Sequence, residues 1–335
     1  MRVGIYGAGS IGCFVGARLL SAGADVTFVG RARLKAEIAT HGLTASDFER
    51  RDRHAPEAVR YETDVTALAA CQAVLVCVKS AQTEAAARAL DAVLTPDCLI
   101  SSLQNGVRNT TTLRAHLGSR TVVPTIVDFN VVSRGEGVFH RGFSGPLVLS
   151  REPRAEALFA LLARALETKV VDDIAPAQWT KLLVNLNNAV SALTDAPTQR
   201  MLQERELRLV VAAIIEEAVG VLRADGVRPP SLRGVPVWLM PKILRLPTPI
   251  VRLVTRAQVK VDAEARSSMW EDLRRGRETE VEYLNGEIVR VAERAGLDAP
   301  INRRIVALVH AAEEAGEGSP GLSGAELAEA VGVRR

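Results

Sequence analysis

This sequence is short of cysteine, of aromatic residues and of net charge, and each shortage closes off a class of function. The four cysteines, Cys13, Cys71, Cys77 and Cys98, contain no C-x-x-C pair, and none follows position 98. That pattern excludes a disulfide framework and a cysteine zinc site, and it suits scattered thiols in a reducing compartment. No metal is expected. Aromatics make up 4% of 335 residues, and the formal net charge is only +3. A base-stacking surface or a basic footprint needs more than this, so no nucleic-acid partner is expected. Long uncharged apolar runs are missing as well. Val235–Val254 is interrupted by Lys242, Arg245 and Arg252 and by Pro236, Pro241, Pro247 and Pro249, so no membrane partner is expected. With a first strand beginning at Arg2, a cytoplasmic location is the expectation.

The most informative residues open the chain. Arg2–Tyr6 reads as a short strand, Gly7-Ala8-Gly9-Ser10-Ile11-Gly12 as a turn, and Cys13–Leu20 as an apolar helix. Gly7 suits a tight turn, Gly9 leaves room for a pyrophosphate against the backbone, and Gly12 allows close packing of helix on strand. The N-terminus of the helix then offers N–H groups and partial positive charge to phosphates. A lone G-x-G-x-x-G is weak evidence. Flanked by the right strand and helix, it predicts a dinucleotide site built from Gly7, Ala8, Gly9, Ser10, Ile11 and Gly12.

Strand and helix signals then alternate. Asp25–Val29, Ala73–Val78, Cys98–Leu103, Thr121–Val132 and Gly142–Leu149 read as strands, with helices over Arg33–Thr40 and Thr83–Leu94. This is the pattern of a doubly wound parallel sheet, an α/β Rossmann-type domain whose ligands sit at the carboxyl ends of the strands. After about residue 172 strand signals stop. Long helical patterns follow at Ala175–Leu193, Gln203–Asp225, Val259–Arg274, Glu278–Ala295 and Ile301–Ala315, punctuated by proline and glycine. The expected organisation is a dinucleotide domain over 1–172, an all-α domain over 173–320, and a tail, or a short helix, over 321–335.

The end of the second strand distinguishes the two nicotinamide cofactors. NAD-binding folds place a carboxylate there for the ribose hydroxyls. This chain reads Phe28-Val29-Gly30-Arg31-Ala32-Arg33 instead. A guanidinium fork suits a 2′-phosphate, so NADP(H) is the expected cofactor, with Arg31 as its phosphate ligand.

Several separated motifs now resemble the ketopantoate reductases (2-dehydropantoate 2-reductases) over nearly the whole chain. They are Gly7–Gly12, Val78-Lys79-Ser80-Ala81-Gln82-Thr83, Leu103-Gln104-Asn105-Gly106, Trp179-Thr180-Lys181-Leu182 with Asn185, and Ser267-Ser268-Met269 through Asp272 to Arg277-Glu278-Thr279-Glu280, closed by Asn285-Gly286. The resemblance implies a Rossmann domain and a helical domain with the active site between them. It also implies reduction of a small 2-keto acid, 2-dehydropantoate, to pantoate with NADPH.

The resemblance assigns roles that local sequence alone does not. Lys181, otherwise a lysine on an amphipathic helix, matches the catalytic lysine, placed to protonate the keto oxygen. Glu280 matches the active-site glutamate, near the cofactor as well as Lys181, and Ser268 the serine that binds the substrate carboxylate. Asn105 ends a strand at a glycine turn, where its amide can serve both nicotinamide and substrate. Lys79 and Gln82 approach the cofactor, though helix-end polarity accounts for them equally well. Asn185, four residues after Lys181, shares its helix face and can bond a substrate hydroxyl. The sequence departs from the family where a further asparagine is expected, at Ala189, and Asn188 is the candidate replacement. The segment Pro229–Leu253 is a second departure, and reads as an irregular loop packed on its own domain in preference to a lid or subunit arm. A homodimer is compatible with the sequence. The rival functions are a relative acting on another branched 2-keto acid, and a non-catalytic NADP sensor.

Overall fold

Strand β1 (Arg2–Tyr6) lies in the middle of an eight-stranded sheet in the computed structural model, which describes residues 1–143, 145–231, 235–251 and 266–333. The chain divides into two compact units, Met1–Ile174 and Ala175–Arg335. In the first, β2 (Asp25–Val29), β5 (Arg60–Glu62), β6 (Ala73–Val76), β7 (Leu99–Ser102) and β8 (Val122–Val127) join β1 in parallel. The sheet order is β12-β11-β8-β7-β6-β1-β2-β5, where β11 is Leu147–Ser150 and β12 is Thr168–Val171. β11 runs antiparallel to β8, so the sheet is mixed at this end. Helices α1 (Ser10–Ser21), α2 (Ala32–His41), α3 (Thr83–Asp91), α4 (Asn109–His116) and α5 (Glu156–Ala165) complete the layers.

The inner strands β6, β7 and β8 are buried along their whole length because both faces are covered. Alternate residues serve different cores. Ala73 and Leu75 of β6 join Val3, Ile5, Phe14 and Phe28 in one cluster, whereas Val74 and Val76 join Leu90, Ile100 and Leu113 in the other.

A second sheet, of order β4-β3-β10-β9, corrects the sequence reading. Its strands are β3 (Leu43–Ser46), β4 (Arg51–His54), β9 (Val131–Gly135) and β10 (Val138–Arg141). The expected strand Thr121–Val132 is really two, β8 in the large sheet and β9 in the small one, and the chain turns at Asp128 and Asn130 between them. The small sheet packs on the back of α1 through charge as well as apolar area. Arg18 of α1, 1% exposed, pairs with Asp47 at 2.8 Å and Asp52 at 2.7 Å, and Arg141 of β10 pairs with Asp47 at 2.8 Å. The Arg18 and Arg141 guanidiniums also lie over the Phe14 ring. Burying two carboxylates this way is tolerable because each oxygen gains a donor, the Arg18, Arg50 and Arg141 guanidiniums for three of them and the Glu49 and Arg50 N–H groups for Asp47 Oδ1.

The second unit is helical. Its pillar is α9 (Arg205–Ala224), buried along Leu207, Val210, Ile214, Ala218 and Val221, an i, i+3, i+4 pattern. Around it stand α6 (Ala175–Asn185), α7 (Asn187–Thr194), α8 (Thr198–Gln203), α10 (Met240–Leu244), α12 (Asn285–Arg294), α13 (Pro300–Ala315) and α14 (Gly324–Ala330), while α11 (Ser268–Arg274) packs on α7. Three helical expectations need correction. Ala175–Leu193 is divided at Leu186 into α6 and α7, with Asn185, Asn187 and Asn188, residues of low helix propensity, gathered at the division. The helix expected over Glu278–Ala295 begins only at Asn285. Of Val259–Arg274, the part before Arg266 lies outside the described residues, and Ser268–Arg274 is helical. Gly324–Ala330 is a helix, closed by a capping box in which Ser323 and Glu326 satisfy each other's backbone.

The proline-rich segment is also anchored on its own unit where it is described. Arg208, buried in α9, donates to the carbonyls of Leu202, Gln203, Leu244 and Leu246 and to the Thr248 hydroxyl, at 3.0 to 3.2 Å. Residues 232–234 and 252–253 of that segment lie outside the described residues. No helix among the described residues is long and apolar enough to cross a membrane.

Candidate active site

The glycine turn takes the geometry its sequence requires. The N–H groups of Gly7 and Ala8 both donate to the Val29 carbonyl at 3.0 Å, so β1 is tied to β2 as it turns. Gly7 has φ +83°, and a Cβ there would stand 2.6 Å from the Val78 nitrogen. Gly12 faces Ile5, where a Cβ would meet a methyl at 2.7 Å. Gly9 is different, since the nearest atom to its missing Cβ is the Gly7 oxygen at 3.9 Å. The space above Gly9 is thus open, α1 has no side-chain cap, and its first turn carries no acid. An open cradle at an uncapped helix N-terminus fits a pyrophosphate. Ala8, Ser10 and Ile11 complete this turn and first helical residues. Tyr61 of β5, which sequence reading missed, donates its hydroxyl to the Ala8 carbonyl at 2.8 Å and fills the space over Gly30. Burial pushes its phenol above the ordinary range, so it stays a donor at any working pH.

Arg31 stands at the N-cap of α2, exposed, immediately beyond the end of β2. Arg33 is exposed too but pairs with Glu37 at 3.5 Å.

The loops after β6 and β7 are fastened to each other. Lys79 precedes a 3-10 turn, Ser80–Gln82, at whose end Gln82 is exposed and its N–H donates to the Lys79 carbonyl. Asn105 follows β7, half-buried, with Gly106 at φ +87° next to it. Ser80 and the amide of Asn109 both donate to the Asn105 carbonyl. Asn109 also bonds Ser80 at 3.0 Å and Thr83 at 2.9 Å, while Gln104 bonds Thr83 at 2.8 Å and the Val78 carbonyl at 3.1 Å. The polar residues between Lys79, Gln82 and Asn105 therefore do the holding. Each buried group in this network finds a partner, so it fixes the Asn105 main chain firmly. The signal was present in the two motifs, in Ser80, Thr83 and Gln104, but only the fold shows that they meet.

In the helical unit Lys181 lies mid-way along α6, half-buried between Thr180 and the buried Leu182 and Leu183. Thr180 donates to the Pro230 carbonyl at 3.2 Å, which ties this helix to the start of the proline-rich segment. Asn185 ends α6 on the Lys181 side of the break. Asn188 belongs to the next helix, α7. Its carbonyl accepts from Ser267 at 2.9 Å. Ser267 in turn caps α11, leaving Ser268 as the exposed first residue of that helix. Asn188 and Ser268 are thereby brought close in the fold. Asp195, another residue sequence reading missed, reinforces this by accepting from Trp270 at 2.7 Å and from Arg266 at 3.0 Å. Ala189 is fully buried, so position 189 serves the core in this chain. Glu280 sits at the N-cap of a 3-10 turn, Val281–Tyr283, and not on a helix, so helix faces do not distinguish it from Glu278 and Glu282. Among the described residues no group of three or more His, Cys, Asp or Glu side chains is arranged to hold a metal ion.

Comparison with known proteins bears on both units. Residues 3–153 match the family described as ketopantoate reductase PanE/ApbA, and residues 173–313 match its C-terminal part. A 2-dehydropantoate 2-reductase of Archaeoglobus fulgidus is 31% identical over 93% of this chain and 98% of its own length. One from Halobacterium salinarum is 29% identical over 94% of this chain and all of its own. Among solved structures, a PanE/ApbA family ketopantoate reductase from Ralstonia eutropha is 31% identical, with a TM-score of 0.80 over 95% of this chain and 100% of that one. A D-mandelate dehydrogenase in complex with NADH and anilino(oxo)acetate shares the fold at 19% identity, with a TM-score of 0.78 over 94% of this chain and 99% of that one.

Proposed function

The chain belongs to the ketopantoate reductase family, and on that premise we propose that it reduces 2-dehydropantoate to (R)-pantoate with NADPH. The observation that carries the cofactor half is the open cradle over Gly9 beside the uncapped N-terminus of α1. The backbone from Gly7 to Gly12 would hold the pyrophosphate, and Arg31 the 2′-phosphate. Lys79 and Gln82, at the ends of the turn after β6, would lie along the cofactor. When bound, NADPH supplies the hydride that the keto carbon accepts.

The chain's own residues would do the rest. Lys181 donates a proton from Nζ to the keto oxygen as negative charge builds there, and is reprotonated from solvent. Glu280 would hold the lysine and the new hydroxyl in register and help to hold the cofactor. Asn105 would orient the nicotinamide and the keto group from a main chain locked by Ser80 and Asn109. The Ser268 hydroxyl binds the substrate carboxylate, and Asn185 and Asn188 bond the hydroxyl that distinguishes 2-dehydropantoate from simpler keto acids. Relatives support the activity by name, and a neighbouring structure of a dimeric ketopantoate reductase from Staphylococcus aureus makes a homodimer the assembly to test. A reducing, cytoplasmic setting fits the free cysteines.

The buried Ala189, in place of an asparagine, favours a second reading, reduction of a different branched 2-keto acid. Steady-state rates with a panel of 2-keto acids, each with NADPH and NADH, separate the two. Preference for 2-dehydropantoate by at least tenfold in kcat/KM is expected, and equal rates with analogues lacking the hydroxyl refute the substrate. Lys181→Ala should retain NADPH binding and lose about 10² to 10⁴ in kcat. Undiminished turnover in that variant removes the proposed acid. NADPH binding with no turnover of any keto acid would mark a sensor.

A further inference from the structure

Glu280 lies in the stretch between two helices. Helix α11 ends at Arg274 and α12 begins at Asn285. Between them the local bonds are short-range, with the Val281 N–H on the Thr279 hydroxyl at 3.2 Å and the Tyr283 N–H on the Glu280 carbonyl at 3.0 Å. Two longer-range anchors come from α13. The Thr279 N–H donates to Glu313 Oε1 at 2.6 Å, and Glu282 Oε1 meets His310 Nε2 at 2.8 Å. His310 Nδ1 closes the chain on Glu313 Oε2 at 2.7 Å. Thr279, Glu313, His310 and Glu282 thus form a bridge whose two feet stand on either side of Glu280.

We propose that His310 and Glu313 are positioning residues for Glu280, fixing from both sides the turn that carries its carboxylate. This rests on the reading of Glu280 as an active-site residue. The bridge uses both imidazole nitrogens as donors to carboxylates, which requires the charged ring. The Glu282 bond, followed by Glu313, accordingly raises the His310 pKa above its ordinary value. Burial pushes the Glu313 carboxyl up, but the Thr279 bonds and His310 outweigh it and hold it below the usual carboxylate range. The platform is stiff, because α13 is a sixteen-residue helix packed on α9 and α12. His310 and Glu282 are themselves partly exposed, so trimming either leaves the core intact.

The test is a kinetic and exchange comparison of His310→Ala, His310→Gln, Glu313→Ala and Glu313→Gln with the parent enzyme, NADPH and 2-dehydropantoate. His310→Ala and Glu313→Ala should lower kcat roughly tenfold with the KM for NADPH unchanged. Glu313→Gln keeps an oxygen for the Thr279 N–H and should recover most of that loss. In a Glu280→Gln background, His310→Ala should cost nothing further, which a general loss of stability would not reproduce. Amide exchange across 279–284 should speed up in both alanine variants, whatever the substrate. Unchanged exchange overturns the proposal. Full kcat in His310→Ala and His310→Gln, with Glu280→Gln impaired, overturns it while leaving the role of Glu280 intact. A fully active Glu280→Gln overturns the reading beneath it.

Discussion

Two glycines in one turn should fail in opposite ways. At Gly7 an alanine needs a left-handed backbone, φ +83°, which costs a side-chain-bearing residue about 1–2 kcal/mol. Its Cβ would also stand 2.6 Å from the Val78 nitrogen and 2.9 Å from the Val78 Cα, and backbone cannot rotate aside as a side chain can. Overpacking of that kind adds roughly 1–3 kcal/mol. Gly7→Ala should therefore destabilise the first unit by roughly 2–5 kcal/mol. At Gly9, φ is −99° and the added methyl meets only the Gly7 oxygen at 3.9 Å. The stability cost there should stay under about 1 kcal/mol, a loss typical of weak helix capping. The same methyl fills the cradle, however, and holds a phosphate away from the α1 N–H groups. Loss of one or two charge-assisted bonds, about 1.5–3 kcal/mol, raises the NADPH dissociation constant roughly tenfold to a hundredfold. Urea unfolding without cofactor and fluorescence titration with NADPH measure the two quantities separately. A Gly9→Ala protein that binds NADPH like the parent would refute the placement of the pyrophosphate.

Three further outcomes follow from the same geometry. Arg31→Ala should weaken NADPH roughly tenfold and leave NADH nearly unchanged, as measured by KM for each, whereas equal losses would argue against a 2′-phosphate contact. Asp47→Asn leaves Arg18 and Arg141 facing an uncharged amide in a site where Asp47 is 6% exposed, and should cost about 3 kcal/mol in a denaturant titration. Acid should have a related effect. Burial pushes Asp47 and Asp52 up, but bonds from the Glu49 and Arg50 main chain, the Arg50 side chain and the Arg18 charge hold both below the ordinary carboxylate range. Their contribution is complete above the ordinary carboxylate pKa and lost as pH falls through the depressed folded values. The urea midpoint of the parent should drop steeply below about pH 4, and less steeply in Asp47→Asn.

What could be read from the sequence tracks what is locally encoded. β1, β2, β6 and β7 are short apolar runs beside turn residues, and each appears where its sequence suggests. The small sheet has no such signal. β4 reads Arg51-Asp52-Arg53-His54, with no buried residue, and β3 pairs in parallel with β10, nearly a hundred residues away. The sheet is held on α1 by Leu43, Ala45 and Phe139 in the apolar core together with the Arg18 cluster, contacts between residues distant in sequence. The break at Leu186 was legible in principle from three asparagines within four positions, but apolar periodicity on both sides masks it. Around the candidate site, the glycine turn was readable because its constraint is steric and local. Tyr61, Asp195 and His310 were not, since each meets a group far away in sequence, the Ala8 carbonyl, the Trp270 indole and the Glu282 carboxylate, and the role of Asn109 depends on its bonds to the distant Ser80 and Thr83.

Arg208 has a consequence for how this protein can vary. Among its contacts with described residues, the guanidinium donates to four carbonyls, which every amino acid supplies, and to the Thr248 hydroxyl. The docking of the proline-rich segment thus constrains the path of residues 244–248 far more than their identities. Leu246, 37% exposed, is free to be exchanged for a polar residue while its carbonyl goes on doing the work. The demand for a particular side chain falls on position 208, where lysine, with three donors and no planar fork, could not reach the same set. A family could rewrite the surface of this segment many times over and keep it seated, provided that one arginine survives.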